Sequence, residues 1–258
     1  MYRRGIAGLL CMSALALLAP VFACLGSDWE PDAWAGDAEK GMVYMLPGID
    51  GQPGSLLEAY AGLRDGGVQA EIRVFNWGPY AMLNLADYVR NRAVARAIAD
   101  EIVAFQDQYP EAPVDLVGYS GGGALVLLVL ESLPAERSVR KAVIVQAGVS
   151  PDYDLSEALW HVEDQLVSFY CPSDWLVLGV LTELVGTVDR AHTASAGKDG
   201  FDTQRAIPDP SLADKLAQIC WTPDMRSTGH QGDHDGMFEY EWNRRYVAPQ
   251  LVARQQGG

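Results

Sequence analysis

At 258 residues, with 49% hydrophobic residues, the chain is long enough for one domain to bury a substantial core without metal or disulfide support. Its formal net charge of −15 repels phosphate backbones and argues against nucleic acid as a partner. No Cys-x-x-Cys and no Cys/His cluster supports a metal site, nothing repeats, and no cofactor is expected.

The first residues read as a secretory leader. Arg3 and Arg4 precede an apolar run from Ile6 to Ala19 that is short for a bilayer span, and a small residue follows at Ala23, which gives residues 1–23 as the leader. Two forms of cleavage stay open. Val21-Phe22-Ala23 suits an ordinary signal peptidase, whereas Val21-Phe22-Ala23-Cys24 resembles a bacterial lipobox, with Phe22 untypical, in which Cys24 becomes the acylated first residue. The expected location is periplasmic or secreted, or membrane-anchored through lipidated Cys24. Residues 24–40 are polar, without apolar period, and read as a linker or lipoprotein tether ahead of a domain at 41–258. Cys11 lies in the leader, so Cys171 and Cys220 are left either to pair in an oxidising compartment or to stay as buried thiols.

From Met42 to Leu46 a continuous apolar run suits a buried parallel strand, and it ends in the turn-rich Pro47-Gly48-Ile49-Asp50-Gly51, where Asp50 is a turn former or cap. Ser55–Asp65 follows as a helix closed by Gly66 and Gly67, then Glu71–Trp77 as a strand nearer a sheet edge, broken by Gly78 and Pro79. Leu83 to Tyr109 is amphipathic, with Leu85, Tyr88, Val89, Ala93, Ala97, Ile98, Ile102 and Phe105 at helical spacing and Arg90, Arg92 and Arg96 on a solvated face. Pro110 and Pro113 stop it.

Val114, Leu116 and Val117 then run straight into Gly118-Tyr119-Ser120-Gly121-Gly122-Gly123, and an apolar helix is expected from Ala124 to Leu133. Strand, Gly-x-Ser-x-Gly and helix in that order form a nucleophile elbow. The glycines at 118 and 122 permit a tight reversal that holds Ser120 at a strained angle with its oxygen exposed. A P-loop is disfavoured, because the Lys-Ser/Thr pair is missing, as is the spacing of a dinucleotide fingerprint. Lys141–Gln146 is the next strand, Leu155–His161 a short helix with His161 at its surface end, Gln165–Tyr170 a strand, and Leu216–Trp221 the last one. This alternation specifies a mostly parallel, doubly wound α/β sheet.

An elbow serine is inert until a base takes its proton, and the base needs a carboxylate partner. In open parallel sheets such groups gather at the carboxyl ends of strands. Asp174 stands there, directly after Gln165–Tyr170; it is equally placed to cap an apolar helix at Trp175–Val185. His234 follows the last strand, within Gly232-Asp233-His234-Asp235-Gly236 and ahead of a helical stretch from Met237, with His230 and His192 as alternative bases.

Ser120, Asp174 and His234 in that order, the elbow Gly118, Tyr119 and Gly122, and the Pro47–Gly51 loop resemble the α/β-hydrolase superfamily over Met42 to Val252, in its serine esterase or lipase-like form. The resemblance implies Ser120 as nucleophile, His234 as base, Asp174 as acid, and the N–H groups of Gly121 and Ile49 as the oxyanion hole. It implies a serine hydrolase acting through an acyl-enzyme on a small-molecule or lipid-like carboxylic ester; thioesters, amides and peptides are within the superfamily's range, and Ser120 disfavours haloalkane chemistry. The chain departs from larger members in having no antiparallel hairpin before Met42 and no cap domain, and 178–210 is its one candidate lid. The competing reading is a noncatalytic envelope domain that binds through a retained hydrolase fold.

Overall fold

The computed structural model describes residues 36–78, 84, 87–174 and 194–252. Its six strands, β1 (Asp37–Leu46), β2 (Ala70–Val74), β3 (Val114–Tyr119), β4 (Lys141–Val145), β5 (Leu166–Tyr170) and β6 (Leu216–Cys220), form one sheet in the order β2-β1-β3-β4-β5-β6. Every pairing is parallel. The leader, Cys24, any strand before β1, the helix expected at 175–185, His192 and the 178–193 part of the 178–210 connection lie outside the described residues.

A parallel sheet must be covered on both faces, which is why its strands read as continuous apolar runs. Along β1, Met42, Tyr44 and Leu46 enter one core layer while Val43 and Met45 enter the other. Helix α1 (Leu57–Asp65) and the helical segment 240–251 cover the second layer; α2 (Tyr88–Gln108), α3 (Gly121–Leu130) and α4 (Ser156–Trp160) cover the first. The sheet is therefore doubly wound. From β1 the chain steps outward to β2 and then returns across β1 to β3, so the order reverses between β1 and β3. At such a switch point the loops leaving the two strands diverge and open a crevice at their carboxyl ends.

Several boundaries differ from expectation for identifiable reasons. Asp37–Lys40, read above as tether, prolong β1, with Asp37 N–H donating to Gln69 O at 3.1 Å. Helix α3 starts at Gly121 instead of Ala124, because Ser120 already occupies the cap position and Gly121–Gly123 form the first turn. The buried line on α2 is Asn91, Val94, Ala95, Ile98, Ala99, Ile102 and Phe105; Val89 and Ala93 face solvent. Counting back in threes and fours from Ile98 reaches 94, 95 and 91, so the apolar stripe was displaced by residues that only happened to be apolar. His161 is buried, not a surface side chain: α4 ends against the bottom of the sheet, and the imidazole Nδ1 lies 2.7 Å from Arg137 O. Cys171 and Cys220 are both free, Cys171 buried and Cys220 partly exposed.

One buried ion pair ties the amino ends of the strands to the last of the described helical turns. Asp115 on β3 is engaged by the Arg140 guanidinium through both carboxylate oxygens, and Arg140 also donates to Leu251 O at 2.6 Å. Burial pushes the Asp115 carboxyl up to about 6, against the pull of Arg140, so the charge is held there at a cost. Removing one partner of such a pair strands the other. Arg140→Met is expected to lower unfolding stability by about 3 kcal/mol in urea titration; an unchanged midpoint would show that this pair does not hold the C-terminal segment.

Candidate active site

The elbow is built from backbone approaches that no β-carbon would allow. A β-carbon at Gly118 would stand 2.3 Å from Gly122 O, and one at Gly122 would stand 2.2 Å from Leu46 O. With those atoms absent, β3 can turn into α3 within one residue. Ser120 carries the strain of the turn at φ 55 and ψ −120, outside the wells that a side chain normally prefers. It is locked there by Ser120 N–H donating to Val145 O at 2.9 Å and by Ser120 O accepting from Gly123 N–H at 2.9 Å and Gly148 N–H at 3.1 Å.

The serine, histidine and acid proposed from the sequence meet in one hydrogen-bonded line. His234 Nε2 lies 3.0 Å from Ser120 Oγ, and His234 Nδ1 lies 2.5 Å from Asp174 Oδ2. An ionised carboxylate accepts only, so Nδ1 carries the ring proton and Nε2 is left bare toward the serine hydroxyl. Asp174 is 3% exposed and Ser120 8%, which removes competing water from both ends of the line. His192, one alternative base, is outside the described residues.

His230, the other alternative, is not aimed at the serine. It sits edge-on to Trp242 and beside Trp221, and its Nδ1 accepts from Gly232 N–H at 3.2 Å. Burial drives its pKa down to about 4, with Asp233 and Asp174 opposing that shift and His234 adding to it. Its work is to shape the loop that carries His234: Trp221 Nε1 donates to His230 O, and Asp233 Oδ1 accepts from Gly236 N–H.

Two further side chains secure the site: Gln146, which the sequence reading places only as a strand residue, and Tyr119, named above in the elbow without a role for its hydroxyl. Gln146, the first residue past β4, adopts φ 46 and donates from Nε2 to Asp174 Oδ2 at 2.7 Å, so the carboxylate oxygen that faces His234 Nδ1 takes a second donor. Its position at a strand's carboxyl end was the available signal; it was counted as the last strand residue instead. Tyr119, the variable residue of the elbow, donates its hydroxyl to Asn243 Oδ1 at 2.6 Å, and Asn243 Nδ2 donates to Met237 O and Glu239 O at 2.9 Å. The elbow and the segment following His234 are thus fastened through one buried bond.

The candidate oxyanion donors lie side by side. A β-carbon at Gly121 would be 2.5 Å from the Ile49 side chain and 3.2 Å from Ile49 N. Gly121 N–H opens α3, where no intrahelical acceptor exists and the helix dipole favours negative charge. Ile49 N–H has no acceptor among the described residues. The arrangement sets a serine hydroxyl with a base beside it near two adjacent candidate backbone donors, the groups that acyl transfer requires. Arg92 and Arg96 stay on the exposed face as expected; Arg90 turns inward to the loop.

Comparison with solved structures identifies the architecture. The chain superposes on lipase B of Aspergillus fumigatus with a TM-score of 0.54 at 15% identity, covering 90% of this chain and 56% of that one, so it spans little more than half of that lipase. On the mature lipase BlEst2 of Bacillus licheniformis the TM-score is 0.50 at 12% identity, covering 85% and 95%. On the lin2722 gene product of Listeria innocua it is 0.51 at 12% identity, covering 84% and 96%. No protein-family model and no curated protein sequence matches. The fold is the α/β-hydrolase fold.

Burial of neutral His230 makes a pH prediction with a definite sign. Its folded pKa of about 4 lies below the unfolded value near 6.5, so the unfolded chain binds the extra proton first as pH falls. The stabilising effect is complete above pH ~6.5 and is lost progressively down to pH ~4, with an upper bound of about 3 kcal/mol. In melts from pH 7 to 4, His230→Phe is expected to show a shallower decline in Tm than the parent. Parallel curves would place the acid sensitivity elsewhere.

Proposed function

We propose that this α/β-hydrolase fold serves a serine hydrolase that acts through an acyl-enzyme, most naturally on carboxylic esters. The observation that carries the reading is the unbroken Ser120–His234–Asp174 line on a strained elbow. As Ser120 Oγ forms its bond to the substrate carbonyl carbon, its proton passes to His234 Nε2 and the carbonyl electron pair moves onto oxygen. Gly121 and Ile49 N–H groups receive that negative oxygen. Asp174 stays ionised and stabilises the imidazolium, while Gln146 keeps the carboxylate from rotating away. The pair then returns to reform the carbonyl, the bond to the leaving alkoxide breaks, and His234 hands its proton to that oxygen. Water, deprotonated by Nε2, attacks the acyl carbon, and the acid departs as Ser120 recovers its proton.

An ester is favoured because two of the similar folds belong to proteins named as lipases. The proposed substrate is a small-molecule or lipid-like ester, and no step calls on a metal or a cofactor. The expected outcome with the purified protein is a single fluorophosphonate adduct by intact mass that is absent from Ser120→Ala. His234→Ala and Asp174→Asn are expected to lower ester kcat by about 10³–10⁴. No adduct, or one that persists in Ser120→Ala, overturns the enzymatic reading in favour of a binding domain. A panel of esters, thioesters and amides reads the leaving group.

For location, the proposal is an exported protein whose leader ends at Ala23, held at the membrane if Cys24 is acylated. Lipidation predicts that expressed full chain enters the detergent phase and that Cys24→Ser shifts it to the aqueous phase. Identical partitioning of the two removes the tether.

A further inference from the structure

The loop that offers the Ile49 donor has little rigidity of its own. Between Leu46 and Gly51 it contains Gly48 and Gly51, the second at φ 64, and its one internal bond is Gly51 N–H to Gly48 O at 2.9 Å. Glycines leave a loop with much conformational freedom, and a donor that wanders must be reoriented at the moment charge develops. Something outside the loop has to hold it.

Asn84 does so. It is fully buried, and its Nδ2 donates at once to Ile49 O at 2.7 Å and to Gly78 O at 2.8 Å. Gly51 is pressed into the same junction: a β-carbon there would stand 1.9 Å from Gly78 O and 2.8 Å from Asn84 Nδ2. The two carbonyls accept only and so require the amide nitrogen on their side, and the opposite face of the amide agrees with that orientation. Arg90 Nη1 reaches Asn84 Oδ1 at 2.6 Å, and a guanidinium has no acceptor, so the face toward Arg90 must be oxygen and the face toward the two carbonyls must be nitrogen. The second Arg90 arm binds Trp77 O, and Asn91 Nδ2 holds Asn84 O at 2.7 Å. The relay thus runs from α2 through Arg90 to Asn84 and into the peptide that follows the Ile49 N–H. None of these groups touches the reacting atoms.

Resting on the serine hydrolase reading above, we propose that Asn84, oriented by Arg90, is a positioning residue that preorganises the oxyanion loop Pro47–Gly51. A fixed loop matters most when negative charge forms on the carbonyl oxygen and least when neutral substrate docks, so its loss belongs in kcat and not in KM. Asn84→Asp is close in size but replaces the donor with an acceptor against two carbonyl oxygens. Arg90→Met leaves the two carbonyl partners of Asn84 in place but removes the donor that anchors its Oδ1.

The test measures ester kcat and KM, fluorophosphonate labelling, and amide hydrogen exchange of the peptide spanning Pro47–Gly51, in the full chain, its Asn84→Asp and Arg90→Met variants and the conservative Arg90→Lys. The expected result for Asn84→Asp and Arg90→Met is a fall in kcat of about 10- to 100-fold with KM within about threefold, since small misplacements of catalytic groups cost on that order. Loop amides are expected to exchange faster in both, and Arg90→Lys, which still donates to Asn84 Oδ1, to recover most of kcat. If Asn84→Asp fails to fold, Arg90→Met and Arg90→Lys decide the matter. Unchanged kcat, a change confined to KM, or unchanged loop exchange in a folded variant overturns the proposal. A parent protein that neither labels nor turns over ester overturns the enzymatic reading instead, while the exchange measurement still reports on the relay.

Discussion

The site depends on one constraint: the elbow after β3 and the loop after β1 must approach each other more closely than side chains permit. Gly118, Gly121 and Gly122 supply that approach, and the consequence is a serine held at positive φ with its oxygen projecting above the switch point between β1 and β3. Such a conformation costs of order 1–3 kcal/mol and persists only where its surroundings over-determine it. Here they do. The Ser120 backbone is bonded through both its N–H and its carbonyl, and α3 behind it is buried along its whole length. The same arrangement places the first free N–H of α3 beside Ile49, so the strain that exposes the nucleophile also sets the spacing of the two donors.

Around that centre, each loop is secured by a buried polar side chain from a different element. Gln146 holds Asp174, Tyr119 and Asn243 hold the segment after His234, and Trp77 Nε1 donates to Pro47 O at 3.1 Å. A buried amide or phenol left unpaired would cost more than its bond returns, so these contacts act as orientation locks. Loops are normally the soft part of an α/β fold. In this chain the polar core beneath them takes over the stiffening that sheet hydrogen bonds provide for the strands.

The sequence made the periodic parts readable and the singular parts less so. Continuous apolar runs located β1 and β3 to β6 to within a few residues, because a parallel sheet covered on both faces has to be written that way. Gly118-Tyr119-Ser120-Gly121-Gly122 announced its own turn, and strand ends pointed to Asp174 and His234. What stayed hidden was polar and buried. Gln146 looked like the end of a strand, Arg90 like part of a solvated face, and Asn84 like one position in an amphipathic run. Each owes its role to a partner 28, 6 or 35 residues away. His161 and Val89 failed for the converse reason: polarity and apolarity alone do not say which side of a helix end meets the core.

The net charge of −15 bears on partners and hardly at all on the chemistry. Surface carboxylates separated from the site by more than about 10 Å are screened by salt at physiological strength. Under the proposed mechanism, two N–H dipoles and a helix N-terminus would receive the developing oxyanion beside a buried Ser120 and Asp174. In that mechanism Asp174, the carboxylate in the line, would face an imidazolium, since His234 Nδ1 lies 2.5 Å from it. The proposed mechanism is therefore compatible with an acidic chain, because donor geometry, and not bulk charge, sets the field at the site.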